Sequence, residues 1–532
     1  MIRVNLRQSA LICVTLLTMR LLIISLLITA TAAAQQRPNI IYIMSDDHDA
    51  KAISAYSKEL ISTPNMDRIA HEGMLFRNAF VANSICGPAR ATLLTGLHSH
   101  KNGMKDNRTR FDSSQVTMPK LLQADGYQTA IVGKWHLQSY PTGFDYWKIL
   151  PGQGQYFEPA MINMKGDTGR IHGYATDVIT DEAINWLDHR DTQKPFLLLL
   201  HHKAPHRYFF APLKYIELFH TKQFPEPATL YTDTAGHGTA WRLQTMSILH
   251  DMKLSSDLKV DPAYLMDIPE LKPDSAEITY YRAIFNRIPE PDRSKIKAIY
   301  EERGKLIRDL HLRGNALLKY KYQWYMQDYL ACVASVDENV GRVLEYLDKN
   351  GLTNNTLVIY TSDQGMYLGQ NGWFDKRWMY DVSMRTPLMM RWPGHIKPGS
   401  VNTSMVQNID YAETFLDVAG TKIPERMQGL SLKPVMTGVQ KALPRKELYY
   451  HFYEYAADHT VLQHLGIRGE RYKLIYFYPV NEWEMYDLQN DPAEQHNIYK
   501  DPKYAKILQQ MKADLLHLRD VYDDHEKAGE LN

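Results

Sequence analysis

A cysteine, a proline and an arginine alternate with small residues in the run Cys86-Gly87-Pro88-Ala89-Arg90. Proline favours the first turn of a helix, where its fixed φ is already helical and its missing N–H needs no partner. Gly96 follows as a typical residue for ending that helix. The run therefore predicts a short helix that presents the thiol of Cys86 to an anion. The alternative is that Cys86 is a small buried apolar residue, as free cysteines commonly are.

Oxygen-bearing side chains follow two of the predicted strands. Residues 38–44 form an apolar, β-branched run that predicts a buried strand, and Asp46 and Asp47 come directly after it. Residues 356–360 predict another buried strand, which leads to Asp363. Ligands bind beyond the carboxyl ends of strands in open α/β sheets, so these carboxylates are well sited for a hard divalent cation. An isolated Asp-Asp pair would more commonly cap the next element.

Basic side chains follow two further predicted strands. Residues 127–132 predict a strand that leads to Lys134 and His136, and residues 196–200 predict one that leads to His206. A solvated lysine and a packed histidine are the plain alternatives for the first pair. The chain offers no cysteine or Glu-x-x-His arrangement that would support a zinc site here. His206 is therefore better assigned as an acid than as a metal ligand.

Taken together, these motifs resemble those of type I sulfatases, which belong to the alkaline-phosphatase-like superfamily. Each motif alone is weak, but they occur in the family's order over nearly the whole mature chain. The matching motifs are Asp46-Asp47, Cys86-x-Pro88-x-Arg90, Gly133-Lys134-x-His136, Ala204-Pro205-His206, Asp363-Gln364-Gly365, Lys376, Tyr486-Asp487-Leu488 and Asp491-Pro492. Gly87 and Ala89 occupy positions that the signature leaves loose, whereas Gln364 departs from the commoner Asn or His.

The resemblance implies a modified cysteine and a bound metal ion. In this family the signature cysteine is recognised in the nascent chain and oxidised to formylglycine, so the nucleophile at Cys86 would be a hydrated aldehyde. The implied metal ligands, together with modified Cys86, are Asp46, Asp47, Asp363 and Gln364. A ligand set made only of oxygen atoms suits Ca²⁺, with Mg²⁺ as the alternative.

The resemblance also implies roles for the basic residues. Arg90 would hold an oxygen of the hydrate, Lys134 would hold the nucleophile or the sulfate, and Lys376 would bind the sulfate and the bridging oxygen. His206 would protonate the leaving alcohol. His136 would take a proton from the second hydroxyl, so that sulfate is expelled and the aldehyde is regenerated.

The substrate expectation comes from residues 362–369 and 373–380. They resemble the bacterial sulfatases that include N-acetylglucosamine-6-O-sulfatases acting on glycosaminoglycans or mucin, which implies an exo-acting carbohydrate sulfatase. Five polar or aromatic residues could contact the sugar, although packing or structural hydrogen bonding is the better explanation for each: Asp106, Asn107, Trp378, His459 and His464. Other carbohydrate sulfatases and phosphonate or phosphate ester hydrolases of the superfamily are alternatives. A non-enzymatic glycan-binding protein is disfavoured, because no catalytic or metal position is lost.

Composition and strand pattern set the expected architecture. A chain of 532 residues, 44% of them hydrophobic, has ample core for more than one domain, and its net charge of +1 gives no electrostatic case for a nucleic-acid partner. We expect an α/β sulfatase fold with a large mixed central sheet flanked by helices, and a smaller C-terminal α+β domain with an antiparallel sheet. The expected catalytic domain is 35–400, with an insertion at about 207–321, and the C-terminal subdomain is 401–532.

The N-terminus predicts export. Residues 1–34 contain apolar runs and a small-residue cleavage site, so they predict a signal peptide, with translation starting at Met1 or Met19. Arg20 interrupts the apolar stretch, which argues against a membrane anchor. The three cysteines exclude a disulfide scaffold if Cys86 is modified. We expect a periplasmic or secreted protein without stable membrane insertion, whose partners are a sulfated glycan and a formylglycine-generating maturase.

Overall fold

The computed structural model describes residues 37–232, 237–456, 458–526, 528 and 531, so the predicted signal peptide lies outside the described residues. The strands are β1 (Asn39–Ser45), β2 (Met74–Phe76), β3 (Ala79–Phe80), β4 (Gln128–Lys134), β5 (Tyr146–Leu150), β6 (Ala160–Asn163), β7 (Thr168–Arg170), β8 (Phe196–His201), β9 (Thr356–Ser362), β10 (Arg385–Thr386), β11 (Leu388–Arg391), β12 (Ser400–Asn402), β13 (Val406–Gln407), β14 (Glu447–Phe452), β15 (His464–Gly469), β16 (Tyr472–Phe477) and β17 (Glu482–Asp487). The α-helices are α1 (Pro64–His71), α2 (Cys86–Thr95), α3 (Ser99–Asn102), α4 (Met118–Ala124), α5 (Ala175–His189), α6 (Leu213–Phe219), α7 (Thr239–Leu243), α8 (Ser275–Phe285), α9 (Asp292–Asp309), α10 (Gly314–Lys349), α11 (Asp381–Met384), α12 (Asp410–Ala419), α13 (Lys433–Met436) and α14 (Ala505–Val521).

A ten-stranded sheet forms the centre of the molecule, in the order β12-β2-β11-β9-β1-β8-β4-β5-β6-β7. Strands β9, β1, β8, β4 and β5 are parallel, whereas β11 is antiparallel to β9 and β6 is antiparallel to β5. Strands β1, β8 and β9 are buried along their whole length, which their continuous apolar sequences require when helices cover both faces. The predicted mixed α/β sheet is confirmed.

Strand register brings the polar strand ends together. Ser45, the last residue of β1, is paired with Ser362 of β9, and Met44 is paired with His201 of β8. Strand β4 ends alongside β8, where Gly133 is paired with His201. The segments that follow β1, β4, β8 and β9 therefore leave the sheet at one edge, as expected for parallel strands.

Helix α10 begins at Gly314, well before the start near residue 325 that the apolar pattern predicts. Its N-terminal half carries charged residues, which interrupt that pattern. Lys321 is nevertheless buried, because its ammonium group donates hydrogen bonds to the carbonyl oxygens of Leu249 (2.8 Å) and Met252 (2.5 Å). Carbonyl oxygens of the predicted insertion thus provide the hydrogen-bond acceptors that allow the charged end of Lys321 to be buried.

A buried ionic cluster also ties the insertion to α10. The Asp328 carboxylate accepts hydrogen bonds from Arg303 (2.8 and 2.9 Å), from Lys259 (3.1 Å) and from the hydroxyl of Tyr300 (3.1 Å). All four side chains are at least nine-tenths buried. Burial would raise the pKa of Asp328, but Arg303 and Lys259 outweigh it and hold the pKa below its ordinary value.

Replacing this carboxylate tests its contribution to stability. In Asp328→Ala, two buried cations lose their anion, so we expect the free energy of unfolding to fall by about 3–5 kcal/mol. The midpoint of thermal or urea unfolding measures the change. Glu302→Ala removes an exposed carboxylate from the same helix as Arg303 and is the matched control. Equal, small shifts in the two variants would contradict the prediction.

The C-terminal part contains a four-stranded antiparallel sheet in the order β14-β15-β16-β17, against which α14 packs. The chain end is held by Asp524, whose carboxylate accepts hydrogen bonds from Tyr449 (2.6 Å) and His451 (2.8 Å). The central sheet extends beyond the predicted domain boundary at residue 400, because β12 pairs with β2. Helix α12 also packs on that sheet, where Phe415 lies edge-on to Tyr42 of β1.

The described helices do not have the properties of membrane-spanning helices. None of those between residues 37 and 531 combines the length and the apolar composition that crossing a bilayer requires. Even α10, with 36 residues, carries charged side chains in most of its turns.

Candidate active site

Helix α2 presents Cys86 at its first turn, as predicted. The helix ends at Gly96, whose φ of 63° is left-handed and whose N–H donates to the carbonyl oxygen of Thr92. At the other end, the N–H of Gly87 donates to Oδ1 of Asn107 (2.9 Å), so a loop side chain caps the helix. Cys86 is completely buried, and burial raises the pKa of its thiol above the ordinary value. An unmodified thiol is therefore a poor nucleophile here.

Three carboxylates converge beside Cys86. Oxygen atoms of Asp46, Asp47 and Asp363 lie within 4.8 Å of one another, and all three residues are buried. The backbone of Asp47 is left-handed (φ 64°), and its N–H donates to Oδ1 of Asp363 (3.1 Å). Burial, together with the neighbouring Asp46 carboxylate, raises the pKa of Asp363 to about 7. Such a cluster requires compensating cations.

Three basic side chains supply part of that compensation. Lys134 donates to Asp46, Lys376 donates to Asp47 (2.6 Å), and Arg90 donates twice to Oδ2 of Asp363 (2.8 and 3.1 Å). Burial alone would raise the pKa of Asp46, but Lys134, with other nearby cations, holds it well below the ordinary value.

The same cations lie close to the nucleophile position. The thiol of Cys86 donates to Oδ1 of Asp46 (3.3 Å), and the ammonium group of Lys134 lies 3.7 Å from the sulfur. Arg90 is held in place by a second contact, a hydrogen bond from its guanidinium group to the carbonyl oxygen of Lys134 (2.7 Å). The predicted residues Cys86, Arg90, Lys134 and Lys376 are therefore brought together.

The donor set fits a hard divalent cation. Nε2 of Gln364 lies 2.5 Å from Oδ1 of Asp47 and 3.3 Å from the sulfur of Cys86, whereas its buried Oε1 has no partner among the described residues. Oxygen and nitrogen of an amide exchange places by a half-turn of the side chain. That turn directs an oxygen toward the three carboxylates and completes an all-oxygen set, which Ca²⁺ and Mg²⁺ prefer. The longer side chain of glutamine therefore still reaches the cluster.

Metal removal gives a test that does not depend on activity. We expect a chelator to lower the thermal unfolding midpoint, since Asp46, Asp47, Asp363 and Gln364 are buried and three of them are carboxylates. Restoring Ca²⁺ to a hundred times its dissociation constant adds about 2.7 kcal/mol of stability. Differential scanning calorimetry with and without Ca²⁺ measures this. In Asp363→Asn, Ca²⁺ should raise the unfolding midpoint by less than it does in the wild-type protein. A wild-type midpoint that changes with neither chelator nor Ca²⁺ would refute the metal site.

Two histidines flank the cluster. Nε2 of His206 lies 3.7 Å from Oδ2 of Asp47, and its Nδ1 donates to the carbonyl oxygen of Arg207 (2.5 Å). Nε2 is therefore the nitrogen that faces the cluster. His136 has a left-handed backbone (φ 57°) and lies beside Gly87, where an added Cβ would come within 3.5 Å of the His136 carbonyl oxygen. Burial is the main cause that lowers the pKa of both histidines.

The support of His206 includes a residue that sequence reasoning missed. The hydroxyl of Tyr156 donates to the His206 carbonyl oxygen (2.5 Å), and the N–H of His206 donates to the carbonyl oxygen of Lys203 (3.1 Å). The ammonium group of Lys203 lies over the Tyr156 ring, 4.7 Å from its centre. Tyr156 follows a glycine-containing loop, and nothing in its local sequence links it to His206.

Trp378 and His464 are completely buried, which favours the packing explanation over sugar contact for both. The Trp378 ring is stacked on Tyr380 at 5.2 Å, and Nε2 of His464 accepts a hydrogen bond from the N–H of Met379 (3.1 Å). Both side chains belong to the core beneath β14–β16 and have no surface to offer a ligand.

Asp106 and Asn107 also have structural contacts. Oδ1 of Asp106 accepts hydrogen bonds from the N–H groups of Arg108 (2.9 Å) and Thr109 (2.7 Å), which closes a turn in its own loop. Asn107 caps α2 through Gly87, as described above. Oδ1 of each side chain therefore shapes the loop beside the site.

His459 does lie at the site, together with two charged residues that were not predicted. Its Nε2 is 3.3 Å from Oδ2 of Asp375, and the guanidinium group of Arg377 donates to Oδ1 of the same carboxylate. Asp375 and Arg377 flank Lys376 and have left-handed backbones (φ 75° and 90°). Nε of Arg377 is buried without a hydrogen bond to any described residue. Their proximity to Lys376 in the sequence was the one available signal.

Similarity to known proteins extends over most of the chain. The sulfatase family model matches residues 38–421, and the model described as N-sulphoglucosamine sulphohydrolase, C-terminal, matches residues 369–521. An N-acetylglucosamine-6-O-sulfatase of Bacteroides thetaiotaomicron is 47% identical over 497 residues, which cover 92% of this chain and 88% of that protein. The human N-acetylglucosamine-6-sulfatase is 26% identical over 450 residues, which cover 79% of this chain and 68% of the human protein.

A solved structure is similar along its whole length. It shows a protein in complex with its substrate, D-glucosamine-2-N,6-O-disulfate, and matches with a TM-score of 0.88 and 46% identity. The match covers 93% of this chain and 100% of that one. The chain therefore belongs to the sulfatase family and is a sulfuric ester hydrolase.

Proposed function

We propose that the protein hydrolyses the 6-O-sulfate ester of N-acetylglucosamine in glycosaminoglycan or mucin oligosaccharides, with formylglycine made from Cys86 as its nucleophile. The observation that carries the choice of sugar is the 47% identity to an N-acetylglucosamine-6-O-sulfatase over 92% of the chain. The cations around Cys86 support the reaction, because a sulfate ester carries negative charge on its non-bridging oxygens.

The charged residues have separate tasks in this proposal. Formylglycine would supply, as its hydrate, a nucleophilic hydroxyl where the sulfur of Cys86 now lies. A divalent cation held by Asp46, Asp47, Asp363 and Gln364 would supply positive charge beside that hydroxyl and a sulfate oxygen. Lys134 and Lys376 bind the sulfate oxygens, and Arg90 orients the nucleophile. Fixed charges of this kind need no reorganisation as the S–O bond breaks, which lowers the barrier.

Two proton transfers complete the cycle. His206 donates the proton on Nε2 to the leaving sugar oxygen, and its Nδ1 is fixed by the Arg207 carbonyl oxygen. His136 then takes a proton from the remaining hydroxyl of the nucleophile, which releases sulfate and restores the aldehyde. Burial lowers the pKa of His206 and so favours the neutral ring, which carries no proton on Nε2 while Nδ1 donates to Arg207. The acid role therefore requires that His206 gain a proton when the negative charge of the sulfate ester is bound beside Nε2.

Sugar recognition is assigned to the cluster of His459, Asp375 and Arg377. A carboxylate accepts hydrogen bonds and a guanidinium group donates them, so the two side by side can bind neighbouring hydroxyl groups of a pyranose ring. Nε of Arg377 makes no hydrogen bond to a described residue, but it lies 3.7 Å from Oε1 of Glu454, so the guanidinium group is held between two carboxylates, those of Asp375 and Glu454. Of the five residues considered for sugar contact in the sequence, this cluster contains His459.

Sulfate release from matched substrates tests the proposal. We expect release from 6-sulfo-N-acetylglucosamine to exceed release from its 3-sulfated and 4-sulfated isomers and from aryl phosphate esters. Faster cleavage of a phosphate ester would assign the protein to the phosphate hydrolases of the same superfamily. Preference for another sulfated position would leave the reaction intact and change the sugar.

Export and maturation are part of the proposal. Residues 1–34 would direct the chain to the periplasm or the exterior, after a maturase has acted on Cys86 in the nascent chain. Mass spectrometry of protein recovered outside the cytoplasm should find an N-terminus at Gln35. An intact residue 1 or residue 19 on the exported protein would contradict cleavage.

A further inference from the structure

We propose that a cleft beside His136 binds a second anionic group of the glycan, on the sugar next to the one that carries the sulfate to be removed. The inference rests on the proposed carbohydrate sulfatase function and extends it to the neighbouring sugar. The cleft has a volume of about 420 Å³, within the range of sites for small ligands. Its lining includes Arg110, His136, Gln138, Tyr140, Leu150 and Ile162.

The cleft is joined to the nucleophile by a single loop residue. Oδ1 of Asn107 accepts from the N–H of Gly87, next to Cys86, and the Asn107 carbonyl oxygen accepts from Nε2 of Gln138 (3.1 Å) in the cleft wall. His136, the proposed base, forms another part of the wall. The cleft therefore borders the catalytic site on the side that His136 and Asn107 form, where the neighbouring sugar would be placed.

The charge in the cleft favours an anion. Arg110 is exposed, and it makes no hydrogen bond or ion pair with any residue between 37 and 531 that the structure describes. No carboxylate occurs among the described residues of the lining. The two acidic residues nearest in sequence are engaged elsewhere, since Asp106 closes its own turn and Oδ1 of Asp112 accepts from Ser114. A carboxylate or sulfate group can therefore pair with Arg110 without displacing an existing partner.

An exposed aromatic ring supplies the surface for the sugar itself. Tyr140 is 55% exposed, and its ring lies 5.5 Å from that of Trp147 with an angle of 24° between the planes. The stacking holds one face of Tyr140 against the protein and leaves the rest of the ring to solvent. An aromatic ring with an apolar body and a polar hydroxyl suits the C–H face and the hydroxyl groups of a pyranose.

Two disaccharides separate the contribution of charge from that of ring contact. Each carries 6-sulfo-N-acetylglucosamine, which is linked in one to a uronic acid and in the other to a neutral hexose. We expect wild-type kcat/KM to be about fivefold higher for the uronate disaccharide, and this preference to fall as salt is raised. Arg110→Gln should remove the preference. Arg426→Gln, which makes the same change on an exposed turn outside the lining, should retain it.

The outcomes distinguish the cleft from the proposed function. Tyr140→Ala should lower kcat/KM for both disaccharides more than for the monosaccharide. Sulfate release without an anionic preference, or equal effects of Arg110→Gln and Arg426→Gln, would overturn the cleft assignment and leave the reaction standing. A wild-type enzyme that releases no sulfate from any 6-sulfated sugar would overturn the proposed substrate, and the cleft assignment with it.

Discussion

Cys86→Ala is expected to release no measurable sulfate from 6-sulfo-N-acetylglucosamine, a loss of roughly 10⁴-fold or more. No other described residue offers a nucleophile where Lys134, Asp46 and Gln364 surround the sulfur at 3.3 to 3.7 Å. The charges that would activate the nucleophile remain in the variant, so the loss isolates the covalent step. Sulfate release by ion chromatography measures it.

Cys332→Ala is the control, because Cys332 is a buried free cysteine within α10. It should keep most of the activity and unfold at a modestly lower temperature. Peptide mass spectrometry on the active wild-type protein should find Cys86 converted from a thiol to an aldehyde. Unmodified Cys86 in fully active protein would refute the mechanism, even if Cys86→Ala were inactive.

His206→Ala should slow sulfate release from the sugar by about 10²–10⁴-fold, the usual contribution of a general acid. A sugar alkoxide is a poor leaving group and needs the proton, whereas an activated aryl sulfate such as 4-nitrocatechol sulfate needs little help. We therefore expect a loss of less than about tenfold on the aryl ester. The ratio of kcat/KM for the two substrates is the measurement.

Two further variants sharpen this test. Tyr156→Phe removes the hydrogen bond to the His206 carbonyl oxygen and should show the same selective loss in a weaker form. His220→Gln changes a histidine at the end of α6, away from the described site, and should leave the ratio unchanged. Equal losses on sugar and aryl sulfates in His206→Ala would show that His206 binds the sulfate group instead of protonating the alcohol.

The position of the catalytic residues at the strand ends could be predicted from two regular patterns, one of sequence and one of sheet topology. An apolar run specifies a buried strand, and the carboxyl ends of neighbouring parallel strands meet at one edge. Asp46, Asp363, Lys134 and His206 could therefore be assigned to one edge before any contact was known. Their separate roles followed from the family resemblance, since spacing alone does not distinguish a metal ligand from a cap.

The residues that local patterns could not place have surroundings that come from distant parts of the chain. Trp378 looks like an exposed aromatic residue, but Phe477 of β16 packs on it with the ring centres 5.5 Å apart. Asp375 and Arg377 are turned toward the site by left-handed backbone conformations, which leave no signature in non-glycine residues. Tyr156 donates a hydrogen bond to the carbonyl oxygen of His206, which lies 50 residues later in the sequence. Contacts of this kind depend on tertiary topology, which local patterns do not carry.

The burial of Cys86 sets a time limit on its proposed oxidation. No part of its surface is exposed once the site is formed, so a modifying enzyme needs the chain before β9 closes the cluster. Gln364, which contacts the sulfur, lies 278 residues after Cys86. At a synthesis rate of about 5–20 residues per second, the ribosome takes roughly 15–55 seconds to reach it. Slower translation between these two points would widen that interval, and the fraction of active enzyme would rise with it.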